Sequence, residues 1–370
     1  MFKFLLKSLY SIDPESFGLD ISDRSLKFAQ LRKTNKGFYL SAFGSQDIKE
    51  GIIQNGEIKN EDALAEIIKN AVASPIKGKL TTNHVVFSLP EEHSFLRVLQ
   101  IPNMSHDETA EAIKWEIEQN IPLGIDEVYF DWQVIENSGS AQADHQDIFI
   151  AAIPKNVADP YISTLTKAGL THVSMEPESV SVARSVVKNA KTESPVFILD
   201  IGSTTTSFVI FSGNVPRFSS SSQIAGKKMI DAIKSNLGVD EAEAIRLFNE
   251  VGFDKKLDTD GKVTEAIAPL FDNIIAQMDN YISFYGSHSV GDNDAKKKSF
   301  EKIILSGGVA NLFGASGHIA GKVGIKTELA NPWSNILKEP LREVPDLSYR
   351  QSLGYTTALG LALRGSQNIS

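Results

Sequence analysis

Cysteine is absent from the 370 residues. No disulfide framework, thiolate metal site or cysteine nucleophile is therefore available, and the composition suits a reducing compartment. Long hydrophobic runs are missing too, so no stretch of about 18 apolar residues reads as a membrane-spanning helix. Excess positive charge is lacking: 37 Lys and Arg stand against 46 Asp and Glu, a net charge of −9. That balance excludes a broad nucleic-acid face and predicts no nucleic-acid partner. The seven histidines show no ligand spacing. Neither a Gly-x-Ser-x-Gly nucleophile elbow nor a Gly-Lys-Ser/Thr phosphate loop occurs.

What is present is an ordinary globular composition, 42% hydrophobic and 22% charged. The length exceeds what one core usually supports and predicts two lobes. The opening residues 1–12 read as a short helix with Lys3, Lys7 and Ser11 on one side. Lys7 interrupts the apolar run, and Asp13 and Glu15 stand where a cleavage site would be, so a signal peptide is not expected. The segment reads as one that rests on a membrane surface, on a partner or on its own domain.

Two segments read alike: SFGLDISDRSLKFAQLRK at 16–33 and PVFILDIGSTTTSFVIFSG at 195–213. Each is an apolar run ending in Leu-Asp-Ile, a loop of small polar residues, and a second alternating run. That is the pattern of two strands joined by a tight turn. Asp20 and Asp200 lie 180 residues apart (200 − 20), and two copies of one turn predict two similar lobes facing each other. Between them, 83–102 alternates as two strands. Ser105 with Glu108 then forms a capping box for a helix whose Ala110, Ile113, Ile117 and Ile121 share one face. Pro122 ends that helix, and 127–135 and 147–154 read as strands around the polar loop 136–146. Residues 81–153 are thus predicted to form an inserted α+β subdomain. Residues 226–299 read as mostly helical, with a solvated loop near 291–302. Ile303–Leu312 gives a strand running into Ser306-Gly307-Gly308, and 349–365 a closing helix rich in small residues.

A strand–turn–strand carrying aspartate followed by glycine, serine or threonine suits a nucleotide's phosphates. Small residues let backbone N–H groups approach phosphate oxygens, hydroxyls add donors, and the aspartate can hold a hydrated Mg²⁺. Two such turns followed by Ser-Gly-Gly, in this order, resemble the superfamily of actin, sugar kinases and heat-shock chaperones. Met175-Glu176-Pro177-Glu178-Ser179 resembles its lobe-linking Glu-Pro segment. Ala242-Glu243-Ala244-Ile245-Arg246 resembles its Ala-Glu-x-x-Lys helix, with arginine for lysine, and Gly354–Leu363 resembles its closing interlobe helix. The insertion at 81–153, with Gly51–Ile58, Leu96-Arg97, Ile121-Pro122 and Asp131-Trp132, resembles the PilM family of type IV pilus assembly proteins, a neighbour of the FtsA division proteins.

The resemblance implies an α/β, actin-like (ribonuclease H-like) two-lobe ATPase fold with an inserted subdomain. Its partition places 1–80, 154–194 and 345–370 in a first lobe, and 81–153 in the insertion. The second lobe takes 195–225 and 300–344, with 226–299 as its helical subdomain. The implied cofactors are ATP and Mg²⁺. Asp20, Ser22, Ser25, Lys27, Gly202, Ser203, Thr204, Thr205, Gly226, Glu243, Arg246, Gly307, Gly308 and Val309 are implied to bind the nucleotide, and Asp20 and Asp200 the metal. Glu176 and Asp200 are implied as catalytic, with Glu176 positioning an attacking water. The implied partner is the cytoplasmic N-terminal tail of a PilN-like protein, held in a groove for which Phe95, Arg97 and Leu99 are candidates. Such proteins lie beneath the inner membrane and couple indirectly to pilus motor ATPases. Ser22 stands where the pattern has glycine, and Ser207 where it often has aspartate; both predict slow or absent hydrolysis. A filament-forming FtsA-like ATPase and a sugar or small-molecule kinase on the same fold are the competing readings. The sequence ends six residues after Arg364, without an FtsA-type membrane tail or the transmembrane helix of GspL-type secretion proteins, which favours the PilM family.

Overall fold

The first Leu-Asp-Ile segment forms a hairpin of β1 (Phe17–Ile21) and β2 (Ser25–Thr34), and β3 (Gly37–Asp47) extends it. The second copies the plan with β12 (Thr192–Ile201), β13 (Thr206–Gly213) and β14 (Val215–Ser222). In a computed structural model, which describes residues 14–35, 37–135, 145–288, 300–338 and 344–367, each meander seeds its own sheet. On the free side of β1 lie β7 (His84–Leu89) and then β11 (Thr171–Pro177), both parallel. The free side of β12 likewise carries β15 (Ile303–Ser306) and β16 (Thr327–Leu329). A short β6 (Lys77–Gly78) completes the first sheet as an edge beyond β3. The repeated meander-plus-parallel plan is the duplication expected of two facing lobes. The N-terminal segment 1–12 and most of the loop expected at 291–302 lie outside the described residues.

Strand alternation sends Phe17, Leu19 and Ile21 to one face of the first sheet. There they pack with α1 (Glu61–Ala73) and α3 (Lys155–Lys167) through Leu64, Ile68, Tyr161 and Leu165. The other face meets α10 (Thr356–Gln367), which follows the single turn of α9 (Tyr349–Ser352). The second sheet is covered by α5 (Gly226–Leu237), α6 (Glu241–Glu250) and α7 (Lys262–His288), through Met229, Ile233, Phe248, Phe271 and Met278. Helix α8 (Ala315–Val323) adds Ile319 to the same core. Among the described residues no helix is long and apolar enough to cross a membrane.

Helix α10 lies against both β1 and α4 (Glu178–Val186) because glycines let the backbones meet. A Cβ on Gly360 would stand 1.9 Å from the Ser181 carbonyl oxygen, and one on Gly18 2.3 Å from that of Ala358. Backbone cannot yield as a side-chain tip can. Gly360→Ala is therefore expected to destabilise the fold by about 3 kcal/mol, the upper end for overpacking. Urea denaturation measures this, and a loss below about 1 kcal/mol would show that the interhelical contact relaxes freely.

The inserted subdomain is smaller than 81–153. Residues 84–89 pair in parallel with β1 inside the first lobe's sheet, a long-range pairing that alternation alone cannot reveal. Pro90 and a turn at Glu91–His93 separate them from the insertion. The insertion itself is β8 (Phe95–Pro102), α2 (His106–Asn120), β9 (Val128–Val134) and β10 (His145–Pro154), in sheet order β8-β10-β9. Ser105 caps α2 as expected: its hydroxyl accepts from Glu108 N–H, and its own N–H donates to the Glu108 carboxylate at 2.9 Å. Ile113 and Ile117 are buried under α2, while Ala110 is half-buried and Thr109 takes the inner position. Arg217 of β14 pairs with Asp147 of β10 at 3.2 Å, tying the insertion to the second lobe.

Candidate functional site

Between the lobes lies a cavity of about 300 Å³ onto which both Asp-bearing turns open. In the first, Asp20 sits directly across the hairpin from Lys27. The Ser22 N–H and hydroxyl both donate to the Ser25 carbonyl, at 2.9 and 3.0 Å, so this serine closes the turn that glycine was expected to make. Lys27 Nζ donates to Ser25 Oγ at 3.1 Å. Asp23 follows and also lines the cavity. Its carboxylate accepts from the N–H groups of Asn55 and Gly56, both at 2.9 Å. Those residues are the positive-φ turn of a small hairpin, β4 (Ile53–Gln54) with β5 (Glu57–Ile58). The Asn-Gly pair is what such a two-residue turn favours. Across the cleft mouth, Gln223 of the second lobe donates to the Asn55 side chain at 2.7 Å.

In the second turn Asp200 faces Ser207, the counterpart of Lys27. Gly202 N–H donates to the Thr205 carbonyl, and the start of α5 folds over the turn through Gly226 N–H to Gly202 O and Lys227 N–H to Ser203 O. Parallel pairing sets Ser306 beside Asp200. The chain then turns at Gly307, whose positive φ and approach to Asp200 leave no room for a Cβ. Gly308, Val309, Leu353 and Gly354 continue the wall, which Ile230, Phe248 and Asn249 also line.

Five carboxyl residues line this cleft: Asp20, Asp23, Glu92, Glu178 and Asp200. Burial pushes Asp200 up to about 7, with Asp20 repelling it and Lys27 opposing the rise. Burial likewise raises Asp20, against the pull of Lys27 and a 3.0 Å hydrogen bond from Ser88. Glu178, at the start of α4, is held well above the carboxylate range by burial and by its acidic neighbours, Asp20 foremost. Anions this close disfavour joint ionisation, and a divalent cation between them removes the penalty. The residues present therefore fit a hydrated Mg²⁺, although no group of three acids or histidines among the described residues forms a direct metal cage.

The structure gathers Asp20, Ser22, Ser25, Lys27, Asp200, Gly202, Ser203, Thr204, Thr205, Gly226, Gly307, Gly308 and Val309 around one cavity. Three groups of expected site residues lie outside that cavity. Glu176 points away from the cleft: Arg184 clamps its carboxylate in a buried bidentate pair and also donates to the Gly360 carbonyl. Two residues on, past Pro177, it is Glu178 that lines the cavity. Arg246 pairs with both Glu243 and Glu250 on the solvent face of α6, which offers Phe248 and Asn249 to the cavity instead. Phe95, Arg97 and Leu99 face the subdomain's own helix: Phe95 and Leu99 pack on the α2 cluster, and Arg97 bonds to Asn120 and Glu116.

A second cavity, of about 200 Å³, lies on the opposite face of the inserted sheet, between it and the first lobe. Tyr129, Asp131, Ala151, Ile153 and Lys155 form one wall, and Leu89, Met175 and Pro177 the other. The two cavities share a partition. Leu89 lines the small one and Pro90 the cleft; Pro177 lines the small one and Glu178 the cleft. Leu89 and Pro177 are paired in register at the ends of β7 and β11.

Two lobes of matching topology, closed by a glycine-assisted helix around a carboxylate-lined cleft, define an actin-like ATPase fold. Solved structures of that class share it. The ethanolamine utilization protein EutJ from Carboxydothermus hydrogenoformans matches with a TM-score of 0.55 at 13% identity, over 95% of this chain and 89% of that one. MreB5 of Spiroplasma citri, solved bound to AMPPNP, matches with 0.51 at 13% identity, over 92% and 93%. A PilM–PilN type IV pilus biogenesis complex matches with 0.79 at 24% identity, over 96% and 99%. The chain belongs to the PilM family: the family model described as type IV pilus assembly protein PilM covers residues 18–366.

Proposed function

We propose that this chain is an ATP- and Mg²⁺-holding scaffold of the type IV pilus inner-membrane complex, which receives the N-terminal tail of a PilN-like partner. The observation that carries the nucleotide half is the convergence of Asp20, Asp200 and two small-residue turns on one interlobe cavity. Backbone N–H groups of the turns, the Ser22, Ser25 and Thr205 hydroxyls and Lys27 would hold the phosphates. Gly307–Val309, Ile230 and Phe248 would take the nucleoside, and Asp20 and Asp200 the hydrated metal. The metal supplies charge neutralisation. Ser207 gives no carboxylate to orient water, so turnover is expected to be slow and the nucleotide to serve in closing the lobes.

The tail half rests on the second cavity. Strand β9 is the edge of its sheet, and an extended peptide can add to such an edge by main-chain pairing while side chains enter pockets. A partner anchored in the inner membrane would hold the chain at its cytoplasmic face and link it indirectly to the motor ATPases. Isothermal titration with a synthetic N-terminal peptide of a PilN-like protein, with and without Mg-ATP, tests this. Micromolar binding to the wild type and loss of it in Ala151→Met, whose side chain fills the cavity, are the expected results. No binding in either condition would overturn the tail reading.

A further inference from the structure

We infer that the cavity between the inserted sheet and the first lobe holds a counter-charge for one cationic side chain, an arginine or lysine of the bound tail, and that Asp131 supplies it. This rests on the tail reading above and adds the chemistry of one contact. Alternation along β9 sends Val128, Phe130 and Trp132 into the α2 core, so Tyr129 and Asp131 face the lobe. One carboxylate oxygen of Asp131 accepts from the Trp132 N–H at 2.9 Å. The other, Oδ2, is buried without a hydrogen-bond partner. A buried acceptor left unmade is costly, which marks it as awaiting a donor.

The surroundings select the donor. The residue paired with Asp131 across the ladder is Ala151, whose methyl leaves the approach open. Leu89, Met175 and Pro177 supply an apolar wall suited to an aliphatic stem with a charged tip. The cavity's own cation is engaged elsewhere: Lys155 donates to the Asp126 carbonyl at 2.5 Å and lies 5.1 Å from the centre of the Tyr129 ring. Arg364 attracts the Asp131 carboxylate electrostatically, and burial still raises that group to about 6. A carboxylate with that affinity for protons is ionised at neutral pH and gains most from a charge-assisted hydrogen bond. One acid among apolar walls offers too few oxygens for a hard metal ion and repels a phosphate.

Methyl NMR of protein labelled at Met and Ala reads the pocket directly through Met175 and Ala151, with N-acetyl-arginine amide and N-acetyl-norleucine amide as probes. The arginine amide is expected to shift both methyls saturably, and Asp131→Asn to weaken it by about tenfold while leaving norleucine amide unchanged. The remaining methyl signals report that the variant is folded. Equal shifts from both probes, or arginine binding indifferent to Asp131→Asn, would overturn the proposal, the second result pointing to a neutral donor. The PilN-like tail separates the two readings. If it binds the wild type but tolerates Asp131→Asn and norleucine at each of its basic positions, the cationic contact falls and the tail reading stands. If it fails to bind while the arginine amide still discriminates, the tail reading falls and the cationic subsite stands.

Discussion

Asp200→Asn is expected to weaken Mg²⁺-dependent nucleotide binding by about 100-fold and, at the same time, to make the ligand-free protein harder to melt at pH 8. The first effect follows from removing one charged partner of a buried pair, worth about 2–5 kcal/mol. The second follows from linkage. The native carboxyl titrates near 7 against an ordinary value of 3.8, so between those values the native state binds more protons than the unfolded chain. Stability from this group is complete below about pH 4 and is lost as pH rises to about 7. Asp20 and Glu178, also raised, act with the same sign. Differential scanning fluorimetry from pH 5.5 to 8 should show a falling melting temperature in the wild type, a shallower fall in Asp200→Asn, and recovery of the wild type alone with Mg-ATP. Parallel curves for the two proteins would mean that Asp200 is solvated and does not meet the metal.

Arg184→Met should cost about 3–5 kcal/mol in chemical denaturation, because it leaves the Glu176 carboxylate buried and unpaired. Arg184 and Glu176 side chains are only 17% and 5% exposed, so solvent cannot replace the lost partner. The Gly360 carbonyl of α10 loses a donor as well. Glu176→Gln should also destabilise, yet leave nucleotide affinity unchanged when measured on folded protein. A loss of affinity without a loss of stability would return Glu176 to the cleft and contradict the pairing.

The contrast shows which parts of the site a sequence can express. The paired turns were legible because two properties coincide in them: strand alternation on both sides, and small residues where the chain turns tightly. Gly307 is constrained by backbone geometry, a positive φ and the close approach to Asp200, that leaves a local trace. Glu176 and Glu178 differ by two positions around a proline, and only the placement of Arg184, eight residues beyond Glu176, decides which one faces inward. Arg246 preserves the expected charge, but Glu243 and Glu250 at helical spacing satisfy it on the surface. The helix instead reaches the cavity with Phe248 and Asn249. Strand β7 was legible as a strand; its parallel partner, more than 60 residues away, was not. The Asp131-Trp132 phrase stood out as a family likeness, yet its meaning depends on an orphaned oxygen that appears only once the lobe and insertion meet.

Leu89-Pro90 and Pro177-Glu178 each give one residue to the tail cavity and the next to the cleft. Neighbouring Cα atoms are held about 3.8 Å apart across a trans peptide, so a displaced strand end carries both residues with it. A ligand that displaces the shared strand ends therefore changes what its counterpart meets, and equilibrium linkage makes that influence reciprocal. Whatever factor Mg-ATP applies to the tail's affinity, the tail must apply to that of Mg-ATP. On the proposed function, the nucleotide occupancy of the isolated chain would then differ from its occupancy with the tail bound. On that same proposed function, a change in the tail's sequence would alter the effective nucleotide affinity without changing any residue of the cleft.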